Sequence, residues 1–185
     1  MLSLILEETR EKMDKSIDAY KRDLATVRTG RANPTMLDRV MVMYWGEKTP
    51  LNQVAGISVV EGRQLLIKPY DRSILRDIER AIFEANLGLT PQNDGTIIRI
   101  TVPPLTEERR RDLCKDIKKQ AEDSKVSIRS SRRDAIEKIK AQKKDGEITE
   151  DDVKSLEKKV QDITDKYCKE ADELASAKEK EIMSV

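Results

Sequence analysis

Near the start of the chain, apolar side chains return at steps of three, four or seven: Leu2, Leu6, Met13, Ile17, Tyr20, Leu24 and Val27. That spacing puts them on one face of a helix, predicted to end near Thr29-Gly30. The same period resumes after Pro103-Pro104. Thr106 can cap a helix there, with Glu107 and Glu108 in its first turn, and Leu113, Ile117, Ala121, Ser124, Ile128, Ala135 and Ile139 form its stripe up to a stop at Asp145-Gly146. Thr149 and Asp152 then make a capping-box pattern ahead of Val153, Leu156, Val160, Ile163, Tyr167 and Leu174. No one of these helices can bury its stripe alone. The short turn at Gly146 makes the last two antiparallel, so the expected solution is a three-helix bundle closed by the N-terminal helix. A helix of roughly 38 residues reaches about 57 Å, so the bundle should be a rod.

Between the first two stripes the pattern changes. All six prolines, and six of the seven glycines, fall between residues 30 and 104, where they exclude long helix. Short β-prone runs occupy the region, at residues 40–45, 57–60, 64–67 and 96–100, separated by turn pairs such as Gly46-Glu47 and Glu61-Gly62. Within the first run, Tyr44 and Trp45 should face opposite ways. One helix interrupts the runs, with Ile74, Leu75, Ile78 and Ile82 on its buried face and a stop at Asn86-Leu87-Gly88. The predicted fold is therefore α+β: an elongated three-helix bundle from residues 1–30 and 105–185, and a small inserted β/α/β domain from 31–104. Both ends of the insert re-enter the rod. Segments 28–34 and 102–105 are expected to act as hinges, with Gly30, Pro103 and Pro104 governing the swing.

Composition narrows the chemistry. The 185 residues include no histidine, which removes Ser-His and Cys-His catalytic units, His-ligated zinc and imidazole switches. Cys114 and Cys168 stand alone, without a CxxC pair, as suits a reducing cytosol. Phosphate-binding glycine loops, HExxH, the EF-hand loop and GxSxG are missing from the sequence. Acid pairs such as Asp151-Asp152 have no partner base and read as capping or solvated groups. We expect no catalytic residue, no metal and no cofactor. The Leu4-Ile5-Leu6 stretch is too short for a membrane span and runs straight into charged residues, so the expectation is a soluble, untargeted cytoplasmic protein.

Charge is balanced in total, 36 Lys plus Arg against 35 Asp plus Glu, but not in distribution. Residues 107–144 carry 14 bases and 8 acids, and residues 145–185 carry 7 and 13. Arg129, Arg132 and Arg133, at i, i+3 and i+4, share one helical face beside the apolar stripe. Such a ridge matches phosphate oxygens bidentately. Arg28, Arg31 and Arg109-Arg110-Arg111 extend the same surface if the helix ends meet. The alternative is that the arginines pair with acids on the last helix, as in many bundles. Exposure separates the two readings. The rod's only aromatics, Tyr20 and Tyr167, sit on apolar stripes, so an RNA target would be read by shape and charge, not by base stacking. A bundle adaptor for another protein's helix is the competing class, and an enzyme with an unusual carboxylate site is a distant third.

Several segments together carry a family resemblance. Residues 28–32 (RTGRA), 103–110 (PPLTEERR), 126–135 (VSIRSSRRDA) and 178–182 (KEKEI) resemble the bacterial ribosome recycling factors, and the likeness extends to Gly46, Thr49-Pro50-Leu51, Asp71-Arg72-Ser73 and Leu87-Gly88-Leu89. It covers nearly the whole chain. The resemblance implies an L-shaped, non-enzymatic monomer that enters the post-termination ribosome and splits its subunits together with the GTPase elongation factor G, releasing mRNA and tRNA. Its partners would be large-subunit ribosomal RNA and that GTPase, with no membrane and no DNA. RNA binding would fall to Arg129, Arg132 and Arg133, supported by Arg28, Arg31 and Arg110. Where the family often has Asn and an aliphatic residue, this chain has Ser130-Ser131.

Overall fold

The structure is a computed structural model and describes residues 2–184. Its elements run α1 (Leu2–Ala25), β1 (Met41–Tyr44), β2 (Glu47–Pro50), α2 (Leu51–Val54), β3 (Ala55–Val60), β4 (Gln64–Pro69), α3 (Leu75–Glu84), β5 (Pro91–Asn93), β6 (Ile98–Thr101), α4 (Glu107–Lys144) and α5 (Glu150–Met183). Two compact units result. One joins α1, through Val27, to Glu107–Ser184, and the other is Arg28–Thr106.

In the helical unit the three stripes converge on one core. Met13 and Ile17 of α1 meet Ile128, Ala135 and Ile139 of α4 and Val153, Leu156, Val160 and Tyr167 of α5. Helix α1 stops earlier than the periodicity predicts. Its last turn tightens as Thr26 and Val27 donate to the Asp23 and Leu24 carbonyls, both at 3.2 Å, and Val27 is only half-buried beyond it. The side chain of Leu2 lies outside the described residues. On α5 the buried row steps by four from Tyr167 to Ala171 and Ala175, leaving Leu174 half-buried at its edge. Two hydroxyls tie the helices together: Tyr20 donates to the Ile117 carbonyl at 3.0 Å and Tyr167 to Asp14 Oδ1 at 2.6 Å. The α4–α5 turn closes with Glu147 N–H on the Gln142 carbonyl at 3.0 Å. The capping box forms as its sequence predicts: Asp152 N–H reaches Thr149 Oγ1 at 3.2 Å and Thr149 N–H reaches Asp152 Oδ2 at 2.9 Å.

The other unit holds a β1–β2 hairpin and a four-stranded antiparallel sheet ordered β3-β4-β6-β5. Val42, Leu65, Ile67, Ile78, Ile98 and Ile100 are fully buried in one core. All four residues expected on the inner face of α3's segment are buried. Strands β2 and β5 were not expected, because Glu47-Lys48-Thr49-Pro50 and Pro91-Gln92-Asn93 lack apolar alternation. They form by pairing with β1 and β6. The run expected over 40–45 ends at Tyr44. Trp45 and Gly46 instead make a two-residue turn with φ of 52° and 80°, the primed geometry that matches strand twist. Gly30, with φ of 82°, is buried against Leu105, whose Cγ would lie 3.3 Å from an added Cβ. The β3–β4 turn holds both connections, with Ala32 N–H on the Gly62 carbonyl at 2.8 Å and Val102 N–H on the Arg63 carbonyl at 2.9 Å.

Thr149→Ala should cost about 1 kcal/mol in denaturant unfolding. The Thr149 N–H and hydroxyl hold the Asp152 carboxyl below its ordinary range. A depressed folded value gives stability that is present above the unfolded pKa and lost as pH falls through the folded one, so Thr149→Ala should also flatten the acid limb. At the other extreme, burial first, and then Asp14, pushes the Tyr167 hydroxyl up to about 12. Stability from this raised group is complete below the unfolded value of about 10 and fades as pH climbs toward the folded one. Thermal melts across the alkaline range should show a shallower decline in Tyr167→Phe than in the wild type.

Candidate nucleic-acid interface

The long helix α4 carries its charges on the arc left over by the core stripe. Three of its eight lysines are engaged inside the molecule. Lys125, only 12% exposed, bridges Glu122 at 2.8 Å and Asp172 of α5 at 2.7 Å, and both hydrogen bonds raise its pKa. Lys138 reaches Glu8 of α1 at 2.6 Å, and Lys143 pairs with Glu150. Lysine ammonium groups on long stems therefore join the helices.

The arginines behave differently. Arg129 and Arg133 are exposed, about 40° apart around the helix, and Arg132 lies about 60° to the other side of Arg129. Among the described residues none of the three makes a carboxylate bridge. Arg132 is half-buried at the α5 side, where its Nη1 donates to Gln161 Oε1 at 2.9 Å, and Gln161 in turn donates to Asp165 Oδ1 at 2.8 Å. A neutral amide thus positions the guanidinium without cancelling its charge. Nothing in the sequence pattern singled out Gln161, although its place next to Val160 of the buried stripe sets it at the helix seam. Among the described residues none of these arginines pairs with an acid of the last helix, although Arg132 does face it; Lys125 and Lys143 take up acids there instead.

The field of this face is felt nearby. Burial raises the Cys168 thiol, and the guanidinium of Arg129, then Lys125, pulls it part of the way back. Cys114 is likewise raised by burial, and both cysteines are free. Neither is activated as a nucleophile. Among the described residues no group of three or more carboxylate or thiol side chains could hold a metal ion, and no helix is long and apolar enough to cross a membrane.

The remaining sequence-predicted residues are placed less uniformly. Arg110 is half-buried on α4, its Nε enclosed without a hydrogen-bond partner, about 28 Å along the helix from Arg129. Arg28 belongs to the insert unit, where it donates to the Leu87 carbonyl and lies against Gly88. It serves the end of the α3 segment. Arg31 is exposed, with interactions of its own, in the same unit. Pro103 and Pro104 are exposed and Gly30 is buried. The structure therefore assembles Arg129, Arg132 and Arg133 into one face, with Arg110 distant on the same helix.

A family model described as ribosome recycling factor matches residues 20–183. The chain belongs to the ribosome recycling factor family. It is 56% identical over 185 residues to the ribosome-recycling factor of Bacillus licheniformis, covering all of both chains. A solution structure of the ribosome recycling factor superposes with a TM-score of 0.79 at 41% identity, over 100% of this chain and 98% of that one. A second structure, at 42% identity and a TM-score of 0.63 over 98% of each chain, describes the Thermus thermophilus ribosome recycling factor and the Escherichia coli elongation factor G bound to the E. coli post-termination complex. Members of the ribosome recycling factor family are not enzymes.

Ser130 and Ser131 lie on different faces of α4. Ser130 is exposed, while Ser131 is buried and donates back to the Ser127 carbonyl at 3.3 Å. A shallow surface depression lies beside Ser131, between α1 and α4. The Arg129 field can be checked directly: at neutral pH, maleimide labelling of Cys168 in Arg129→Ala should be slower than in the parent, because removing the cation raises the thiol pKa further.

Proposed function

We propose that this protein recycles ribosomes: it binds the post-termination complex through ribosomal RNA of the large subunit and, with elongation factor G, separates the subunits so that mRNA and tRNA leave. The observation that carries the RNA contact is the sorting of charge on α4. Lys125 and Lys138, which flank the arginines, are tied into bridges within the bundle, while among the described residues Arg129 and Arg133 stand exposed without a carboxylate partner and Arg132 is oriented by Gln161. Guanidinium groups fixed on a rigid helix can meet phosphate oxygens at low ordering cost. Family membership, and a relative described in a post-termination complex with elongation factor G, support the assignment of partners.

The free energy of splitting comes, in this reading, from the GTPase, and the insert receives its push. Ala32 and Val102 are both hydrogen-bonded to the β3–β4 turn, and Gly30 packs on Leu105, so the two connections would move as a pair during any swing of the insert. Gly30→Ala, which forces a side chain into positive φ and against Leu105, should destabilise the fold and slow subunit splitting.

Arg129→Ala with Arg133→Ala is the cleanest test, since Arg132 is half-buried and its truncation also removes packing. The double variant should keep its stability within about 0.5 kcal/mol. Its affinity for ribosomes should drop, with the log–log salt slope shallower by roughly 0.7 to 0.9 per lost phosphate contact. Sedimentation with ribosomes across a salt series checks this. Unchanged affinity and slope would remove the arginine face from the interface.

A further inference from the structure

Along the seam between α4 and α5, Arg132 meets Gln161 at one crossing and Lys125 meets Asp172 at another. Asp165 lies on α5 between the two, level with the stretch of α4 that carries Arg129. Burial raises the Cys168 thiol, Arg129 lowers it and Asp165 raises it again, so cation and acid both act within reach of one sulfur. A carboxylate so placed ordinarily takes a guanidinium. Among the described residues Asp165 bridges none. Its Oδ1 accepts from Gln161 Nε2 at 2.8 Å, and Gln161 Oε1 accepts from Arg132 Nη1 at 2.9 Å.

The amide can point only one way. A guanidinium donates and a carboxylate accepts, so the carbonyl end must turn to Arg132 and the NH2 end to Asp165, one turn further along α5. The uncharged side chain is thereby bonded to a cation on one side and an acid on the other. Stability alone does not call for it. Glutamate is nearly the same size and would offer Arg132 a charged acceptor, and Arg132 Nε meanwhile stays enclosed without a hydrogen-bond partner. Elsewhere on this seam an acid does capture its cation: Asp172, which has no amide bonded to it among the described residues, holds Lys125 at 2.7 Å.

We propose that Gln161 is a positioning residue for RNA binding: it occupies the Asp165 carboxylate and keeps that acid from neutralising Arg132 or Arg129, so that the guanidinium groups stay available to phosphate. The inference rests on the recycling reading above and names what keeps its RNA face charged. Without the amide, Asp165 would present an unoccupied carboxylate on the same seam, and a bridge to either arginine would take away a phosphate contact. An exposed ion pair is weak in itself, but it competes with the phosphate for the same donors. Gln161 thus sets affinity without touching RNA.

Gln161→Met keeps the size and the charge balance but removes the amide. It should bind ribosomes about threefold more weakly, with the log–log salt slope shallower by roughly 0.7 to 0.9 for one lost phosphate contact. Asp165→Asn added to Gln161→Met should restore both affinity and slope. Deleting an acid favours RNA binding in any background, so Asp165→Asn is also compared in the parent, where its gain should be clearly smaller; sedimentation with ribosomes across a salt series reads this coupling from the full cycle of variants. Equal gains in the two backgrounds, or parent-like affinity and slope in Gln161→Met, would overturn the positioning role while leaving recycling intact. Thermal melts give a second readout. Gln161→Glu should melt at or above the parent temperature, and a lower midpoint would overturn the proposal by showing that the amide is kept for stability. A parent chain that does not sediment with ribosomes would overturn the recycling reading as well.

Discussion

The mutual burial of three apolar stripes is the contact on which the rest of this protein depends. Helices α4 and α5 follow one another and can form a hairpin, but that hairpin leaves Ile128, Ala135 and Val160 partly open until α1 brings Met13 and Ile17 across them. Because α1 is first in the chain and its partners are last, the polypeptide between them must leave the bundle and return. The insert and its two connections are consequences of that closure. A bundle built from segments so far apart in sequence also needs polar fasteners, and Tyr20 on Ile117, Tyr167 on Asp14 and Lys138 on Glu8 supply them.

The same packing sorts the cations. Once the stripe of α4 faces inward, Lys125 and Lys138 fall at the seams with α5 and α1, where acids of the neighbouring helices await them. Arg129 and Arg133 fall on the arc that no helix covers. Arg132 lies between these regimes, and the uncharged Gln161 orients it without neutralising it. Within one basic run, Lys125 and Lys138 are thereby tied into the bundle while Arg129 and Arg133 keep their guanidinium groups outward. This division makes an RNA-binding role consistent with a nearly neutral protein. The insert has no comparable ridge.

Much of this was legible in the residues. The period of the stripes located all three long helices, the capping box at Thr149 and Asp152 formed, and the α+β division followed from where proline and glycine collect. Strands β2 and β5 were not legible, since a polar edge segment such as Glu47-Lys48-Thr49-Pro50 becomes a strand only through its neighbour's hydrogen bonds. Trp45 was assigned to a strand because its side chain is β-prone. The turn geometry that places it in solvent depends on how the flanking strands pair.

The chain alone determined which residues are apolar, at what period, and where the backbone could not be helical; these are local properties, and they fix element type and unit composition. It could not determine whether Arg129, Arg132 and Arg133 are free, because that depends on which acids from other helices come within reach. Nor could it tell that Arg28 is spent on the Leu87 carbonyl, or that Trp45 stands exposed. Those outcomes are distances between residues remote in sequence, and only packing in three dimensions sets them.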